Sequence, residues 1–150
     1  MTTRLEHRIG VAAPADVIWG LVSDVERWKD WNPLYPEAKG RIAIGDTLHL
    51  TESFPGRQPK PIQPVVFDWE PNAQILWRTG GLMSKIVRYI EIEALSETGC
   101  IFANGAFFHG LLGEQEARGN RRAIFSGYEQ LGEAVKRLSE QRWREQAGAR

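Results

Sequence analysis

The chain carries one cysteine, Cys100, in 150 residues. No internal disulfide can form, and a disulfide scaffold is excluded. It also lacks net charge, since 19 Lys plus Arg balance 19 Asp plus Glu. A broad nucleic-acid-binding surface needs an excess of basic charge, so no nucleic-acid partner is expected. No apolar run approaches the roughly 18 residues of a membrane span, so no stable membrane insertion is expected. The opening Met1-Thr2-Thr3-Arg4 begins no apolar signal segment, which with the lone thiol points to a reducing cytoplasm. The histidines, His7, His49 and His109, stand far apart and give no metal-ligand spacing with Cys100. Phosphate-cradling glycine loops and a Gly-x-Ser-x-Gly elbow are absent too. No metal, no cofactor and no catalytic residue is therefore nominated.

What is present suits one globular domain spanning 1–150. Apolar residues make up 42% and charged residues 25%, enough to bury a full core without staples. No repeat or linker divides the chain. Tryptophan is plentiful, with six residues, and each large ring buries much area.

From the N-terminus, Leu5, His7, Ile9 and Val11 alternate with polar residues and predict a half-buried strand, with His7 on its apolar side. Ala13-Pro14-Ala15-Asp16 starts a helix, because proline and an acid both suit a first turn. A second short helix runs from Val25 to Trp31 and stops at Asn32-Pro33. Trp28 and Trp31, three apart, share a face there; they either close the core's end or form part of a lid. From Ala38 the period falls to two. Strands are expected around Lys39–Ile42, at Leu48–Glu52, at Val65–Glu70, at Ile75–Thr79, at Ile86–Glu93 and at Cys100–Phe108. Residues 55–64 hold four prolines and read as a rigid loop.

The last quarter of the chain is a long helix, Asn120 to Trp143. At about 100° per residue, Ile124, Tyr128, Leu131, Val135 and Leu138 fall in one stripe. Gly127 and Gly132 interrupt it at a cost of roughly 1 kcal/mol each against Ala, so packing rather than propensity must hold it. Arg118, Arg121 and Arg122 precede it and form either a basic patch or a plain solvated face. An antiparallel meander has one apolar face, and only this helix is long enough to cover it. A curved sheet gripping one helix leaves room between them for a ligand.

Arg88 is the informative residue. Its phase sets a permanent charge among Ile86, Ile90 and Ile92, and a buried cation must be paired or hydrogen-bonded. It pairs with Glu52 or another inward carboxylate, reaches the rim, or meets a ligand carbonyl or carboxylate. The turn at Glu97-Thr98-Gly99 folds the last two long strands into a hairpin and brings Asn104 to the same face. Phe67, Trp69, Trp77 and Tyr128 are expected to enclose the ligand's apolar body, with Trp31 and Phe108 near it. Arg88→Leu is then expected to weaken binding and leave the fold intact. Cys100, out of phase with Phe102 and Asn104, is expected to be a structural thiol.

Several short motifs in order carry a family likeness: Ala13-Pro14 with Val17-Ile18-Trp19, Val22-Ser23-Asp24, Trp31-Asn32-Pro33, Gly45-Asp46, Pro64-x-Val66, Glu70-Pro71 with Leu76-Trp77, Arg88-x-Ile90-x-Ile92-Glu93 and Phe108-x-Gly110-Leu111-Leu112. With these the chain resembles the SRPBCC superfamily, which has the START-like or Bet v 1-like helix-grip fold, and within it the polyketide cyclase/dehydrase-like and CoxG-like group. The resemblance implies an α+β fold: about seven curved antiparallel strands wrapped around a long C-terminal helix, with two short helices after the first strand. It also implies binding of a small, largely apolar molecule of lipid, polyketide or aromatic type in a cavity between sheet and helix. Related chains often carry His where Arg88 stands and an acid where Ala106 stands. This sequence lacks both, and binding without catalysis is favoured over a cyclase-, dehydratase- or hydrolase-like enzyme. A protein-interaction or assembly accessory is the third reading.

Overall fold

The computed structural model describes residues 2–149. Its elements run β1 (Thr2–Val11), α1 (Ala15–Val22), a 3-10 turn (Val25–Arg27), α2 (Trp28–Trp31), β2 (Glu37–Lys39), β3 (His49–Glu52), β4 (Lys60–Ile62), β5 (Val65–Glu70), β6 (Gln74–Gly80), β7 (Lys85–Ser96), β8 (Gly99–His109), α3 (Gly110–Gly119) and α4 (Arg121–Gly148). Five strands form one antiparallel sheet in the order β1-β8-β7-β6-β5, and three form a second in the order β2-β3-β4. The sheets meet where Thr47 bridges Val65. There Gly45 N–H donates to Val66 O at 2.7 Å and Leu48 N–H to Pro64 O at 2.8 Å. This is the helix-grip arrangement, with sheet on one side and α4 across it.

The described residues hold one strand more than expected, because β4 forms inside the proline-rich loop. Pro61 sits on an edge strand, where its missing N–H breaks no ladder. A second difference lies before the long helix, where α3 forms a separate element that breaks at Asn120. The strand expected near Lys39–Ile42 lies earlier, at Glu37–Lys39.

The α4 stripe is the core of the molecule. Ile124, Tyr128, Leu131 and Val135 are all at most 2% exposed. The two glycines on this helix are sites of close approach. A Cβ at Gly127 would stand 2.6 Å from Phe54 Cδ1, and one at Gly132 would stand 2.7 Å from His7 Nδ1. The propensity lost at each position lets a ring from β1 or from the segment after β3 seat directly on the helix. His7, expected on the apolar side of β1, thus packs on α4, edge-on to Phe125 at 5.8 Å.

β7 and β8 form the long central hairpin. Their register sets Arg88 opposite Ala106 and Ile90 opposite Asn104. Phe102, Asn104, Ala106 and Phe108 are all buried in one phase. β5 is less regular: its pairing with β6 shifts between Val66 and Asp68, and a shift of one residue exchanges the faces of everything beyond it.

Candidate functional site in the sheet–helix cavity

Between the sheet, α3 and α4 lies a cavity of about 310 Å³. Its apolar wall comes from Phe54, Trp77, Ile86, Phe108 and Ile124, and its polar groups from Glu52, Lys60, Arg88, Glu116 and Tyr128. A larger depression of about 520 Å³ lies over the small sheet, among Glu26, Lys29, Glu37 and Lys39. No buried polar side chain converges there, so the sheet–helix cavity is the better site.

Arg88 is its centre and is 2% exposed. Alternation along β7 points it inward, and the hairpin supplies most of its partners. Its Nη1 donates to Gly105 O at 2.9 Å and to Tyr89 O at 3.2 Å, and its Nη2 donates to Asn104 Oδ1 at 2.9 Å. Asn104 in turn donates from Nδ2 to Tyr128 O at 3.0 Å, which ties β8 to α4. Arg88 Nε donates to Tyr35 Oη at 2.9 Å, and Tyr35 Oη donates to Glu52 Oε2 at 3.3 Å. The guanidinium carbon lies 4.1 Å from the Tyr128 ring centroid and 5.5 Å from that of Trp77, within cation–π range. Arg88 therefore meets its carboxylate through a tyrosine hydroxyl.

The electrostatics follow from this packing. Burial pulls the Arg88 pKa down, but the surrounding tyrosine hydroxyls and Glu52 together hold it above the ordinary value, so it stays charged. Burial pushes the Tyr35 and Tyr128 hydroxyls well above the ordinary phenol range, so both are neutral. Burial also raises the Glu52 carboxyl, with Glu116 adding to the rise, while Arg88, Tyr35 and Lys60 pull against it. Glu52 thus faces the cavity as a carboxyl that holds its proton more readily than a solvated one. Tyr128 Oη makes no hydrogen bond among the described residues; its shift comes from burial and nearby charge.

The predicted residues divide cleanly. Arg88, Trp77, Phe108 and Tyr128 all line the cavity. Asn104 is fully buried behind Arg88 and does not line it. Phe67 is turned away: at the β5 irregularity it lies under exposed Arg78, whose guanidinium is 5.5 Å from its ring. Trp69 stacks on Trp19 at 6.0 Å, against α1 rather than the cavity. Trp31 also lies elsewhere, beside Pro33, Gln130 and Arg137, and its partner Trp28 is wholly buried, donating to Val22 O at 3.1 Å. Cys100 is buried, with Sγ donating to Ala13 O at 3.3 Å and burial raising its pKa.

Tyr35 was missed because its segment has no period. The signal was Asn32, read only as a helix stop. Its Oδ1 accepts the N–H groups of Leu34 at 3.0 Å and Tyr35 at 3.1 Å, an Asx-type turn that folds Tyr35 back into the core. There Tyr35 stacks on Trp28 at 5.5 Å and meets Trp77 edge-on at 6.3 Å.

Comparison with known proteins agrees with the architecture. The sequence pattern of the family described as polyketide cyclase/dehydrase and lipid transport matches residues 2–140. The Zhui aromatase/cyclase from Streptomyces sp. R1128 superposes with a TM-score of 0.76 at 20% identity, covering 95% of this chain and 96% of that one. Norcoclaurine synthase from Thalictrum flavum, as a point mutant with a transition-state analogue, gives 0.70 at 18% identity, covering 95% and 96%. A START superfamily protein from Mycobacterium smegmatis gives 0.64 at 23% identity, covering 92% and 97%. At these identities the likeness is one of fold. No curated protein sequence matches the chain.

Proposed function

Because the chain belongs to the polyketide cyclase/dehydrase and lipid transport family, we propose that it is a single-domain cytoplasmic protein that binds one small, largely apolar molecule between sheet and helix. One observation carries this reading: a cavity of about 310 Å³ whose apolar wall surrounds a few fixed polar groups. That size is at the lower end of ligand pockets, about 300–1,000 Å³, and favours a compact ring compound of aromatic or polyketide type over a long acyl chain. A cavity of this size also weighs against a purely interaction-based role, for which a filled core would serve.

The polar groups define the head of the ligand. Four of the five N–H donors of Arg88 are already used inside the protein, so its fork is not free to clasp a carboxylate. Deep in the cavity the groups left to meet a ligand are the Tyr128 hydroxyl and the Glu52 carboxyl, both of which suit a neutral carbonyl or hydroxyl, while Lys60 and Glu116 stand at the mouth. Asn104 acts by holding Arg88 in place. Trp77, Phe108 and Ile86 form the wall.

A second reading, a cyclase- or dehydratase-like enzyme, rests on Glu52. Its carboxyl faces the cavity, sits 3.3 Å from Tyr35 Oη and holds its proton above the ordinary carboxylate range, as a proton-transfer group requires.

Native mass spectrometry of freshly purified protein should show a co-purified mass that is absent from Ile86→Trp, in which the added ring fills the cavity. Calorimetry should show aromatic aldehydes binding the native chain and not that variant. If Ile86→Trp binds as well as the native chain, the ligand lies elsewhere. If Glu52→Gln abolishes turnover of a carbonyl ligand without changing its affinity, the enzyme reading replaces simple binding.

A further inference from the structure

Among the described residues, four of the seven exposed large apolar side chains gather at one place, while Ile44 and Leu95 stand singly elsewhere. Leu82 is 100% exposed and Met83 56%, both in the β6–β7 turn; Leu111 is 66% exposed and Leu112 50%, at the start of α3. The two segments are tied together, since Leu112 N–H donates to Met83 O at 3.0 Å. A cluster of large apolar side chains held out in water needs a reason. The cluster also borders the cavity: Thr79 and Gly80 at the end of β6, Ser84 from the same turn, and Glu116 from the same helix line it.

The charges around the cluster are sorted by sign. Across residues 80–85 and 109–122 the exposed charged side chains are Lys85, Arg118, Arg121 and Arg122, all basic. Neither acid of these segments is fully exposed: Glu114 is 8% exposed and accepts from Thr3 Oγ1 at 3.3 Å, and Glu116 is half-buried where it lines the cavity. None of the four basic residues joins an ion pair among the described residues. Leu111 and Arg118 are seven apart on α3 and so share a face. Arg118, Arg121 and Arg122 line one shallow depression with Phe125, which is 39% exposed. In a chain of zero net charge, this end is both apolar and locally cationic.

We propose that this end is a docking surface for an anionic lipid membrane, with Leu82, Met83, Leu111 and Leu112 entering the interfacial layer and Lys85, Arg118, Arg121 and Arg122 facing the headgroups. Apolar insertion alone would not select a partner; the one-signed basic rim selects an anionic surface. The attachment is peripheral, since no helix among the described residues is long and apolar enough to cross a membrane. Docked this way, the cavity mouth faces the bilayer, and an apolar ligand would pass between bilayer and cavity without crossing water. Docking itself does not rest on the ligand proposed above, because an empty or filled cavity presents the same outer surface.

Sedimentation with phosphatidylcholine vesicles, with and without phosphatidylglycerol, tests it. The native chain should bind the mixed vesicles, more weakly as salt rises, and bind pure phosphatidylcholine poorly. Leu82→Asp with Leu111→Asp, and separately Arg118→Glu with Arg122→Glu, should each lower partitioning about tenfold or more, with the circular dichroism spectrum unchanged. All four side chains are exposed, so the variants should fold, and Ile86→Trp should bind vesicles as the native chain does. Equal binding to neutral vesicles, no binding, or binding indifferent to both variants overturns the proposal. So does a concentration-dependent dimer that Leu82→Asp dissolves in the absence of vesicle binding, which would assign the surface to a second copy of the chain.

Discussion

The two ends of the cavity are built on opposite plans. At the inner end, Arg88, Trp77 and Tyr128 are each at most 2% exposed, and the charge is held by two backbone carbonyls, an asparagine and a tyrosine. At the outer end, Lys60 and Gly80 are exposed and Glu116 is only half-buried. The difference separates two uses of polarity. The inner groups were desolvated during folding and rearrange little, so they present a fixed field to whatever enters. The outer groups still exchange with water and can yield to a ligand at little cost. Glu52 joins the two ends, since its carboxyl accepts from Tyr35 on one side and its strand position pairs with Lys60 on the other.

The strongest way to break this comparison is at Arg88. Arg88→Met removes the cation and leaves Gly105 O, Tyr89 O, Asn104 Oδ1 and Tyr35 Oη without their donor, and Glu52 without its countercharge. Breaking a buried, bonded charge on one side costs about 3–5 kcal/mol. This replaces the expectation that the fold would be indifferent to Arg88→Leu. Urea denaturation should read the loss directly, and a change below about 1 kcal/mol would mean the inner end is no more rigid than the mouth.

Tyr35→Phe is a smaller cut through the same chain. It deletes one hydroxyl that both accepts from Arg88 and donates to Glu52 and keeps the ring between Trp28 and Trp77. The expected loss is about 1–3 kcal/mol, the range for leaving buried polar groups unsatisfied. A double-mutant cycle with Glu52→Gln should show coupling. Strict additivity would mean that Tyr35 bonds Arg88 alone and that the inner end does not reach Glu52.

How much of this was legible depends on the regularity of each segment. The β7–β8 hairpin was readable because alternation is unbroken from Ile86 to Ile92 and from Phe102 to Phe108, so the face shared by Arg88 and Asn104 followed from the turn alone. β5 misled because its pairing shifts between Val66 and Asp68, which turns Phe67 outward and leaves Val66 and Trp69 on the inner side. Tyr35 was invisible to periodicity because an Asx-type turn, not a helix or strand, delivers it. The apolar tip was named in the family motif as Leu111-Leu112, but its exposure is a property of the packing.

The smallest expected effect lies at the junction of the two ends, in the pH dependence contributed by Glu52. Burial is the main cause of its raised pKa, with Glu116 adding and Arg88, Tyr35 and Lys60 opposing. Between the ordinary carboxylate pKa, about 4.3, and its value in the folded chain, the native state holds a proton that the unfolded state has released. Stability therefore falls with rising pH across that window: Glu52's contribution is fully present below the unfolded pKa and is lost as pH rises through the folded one. Glu52→Gln carries no titrating proton, so it should lack this part of the decline, and native and variant stabilities should diverge toward the variant as pH rises. Lys60→Met, by removing a cation that lowers the Glu52 pKa, should widen the window and steepen the loss without touching the inner end. Urea melts at a series of pH values measure all three chains. If the native-minus-Gln difference is flat with pH, Glu52 titrates as a solvated carboxylate and belongs wholly to the mouth; if it slopes and Lys60→Met leaves the slope unchanged, the inner end alone sets its charge.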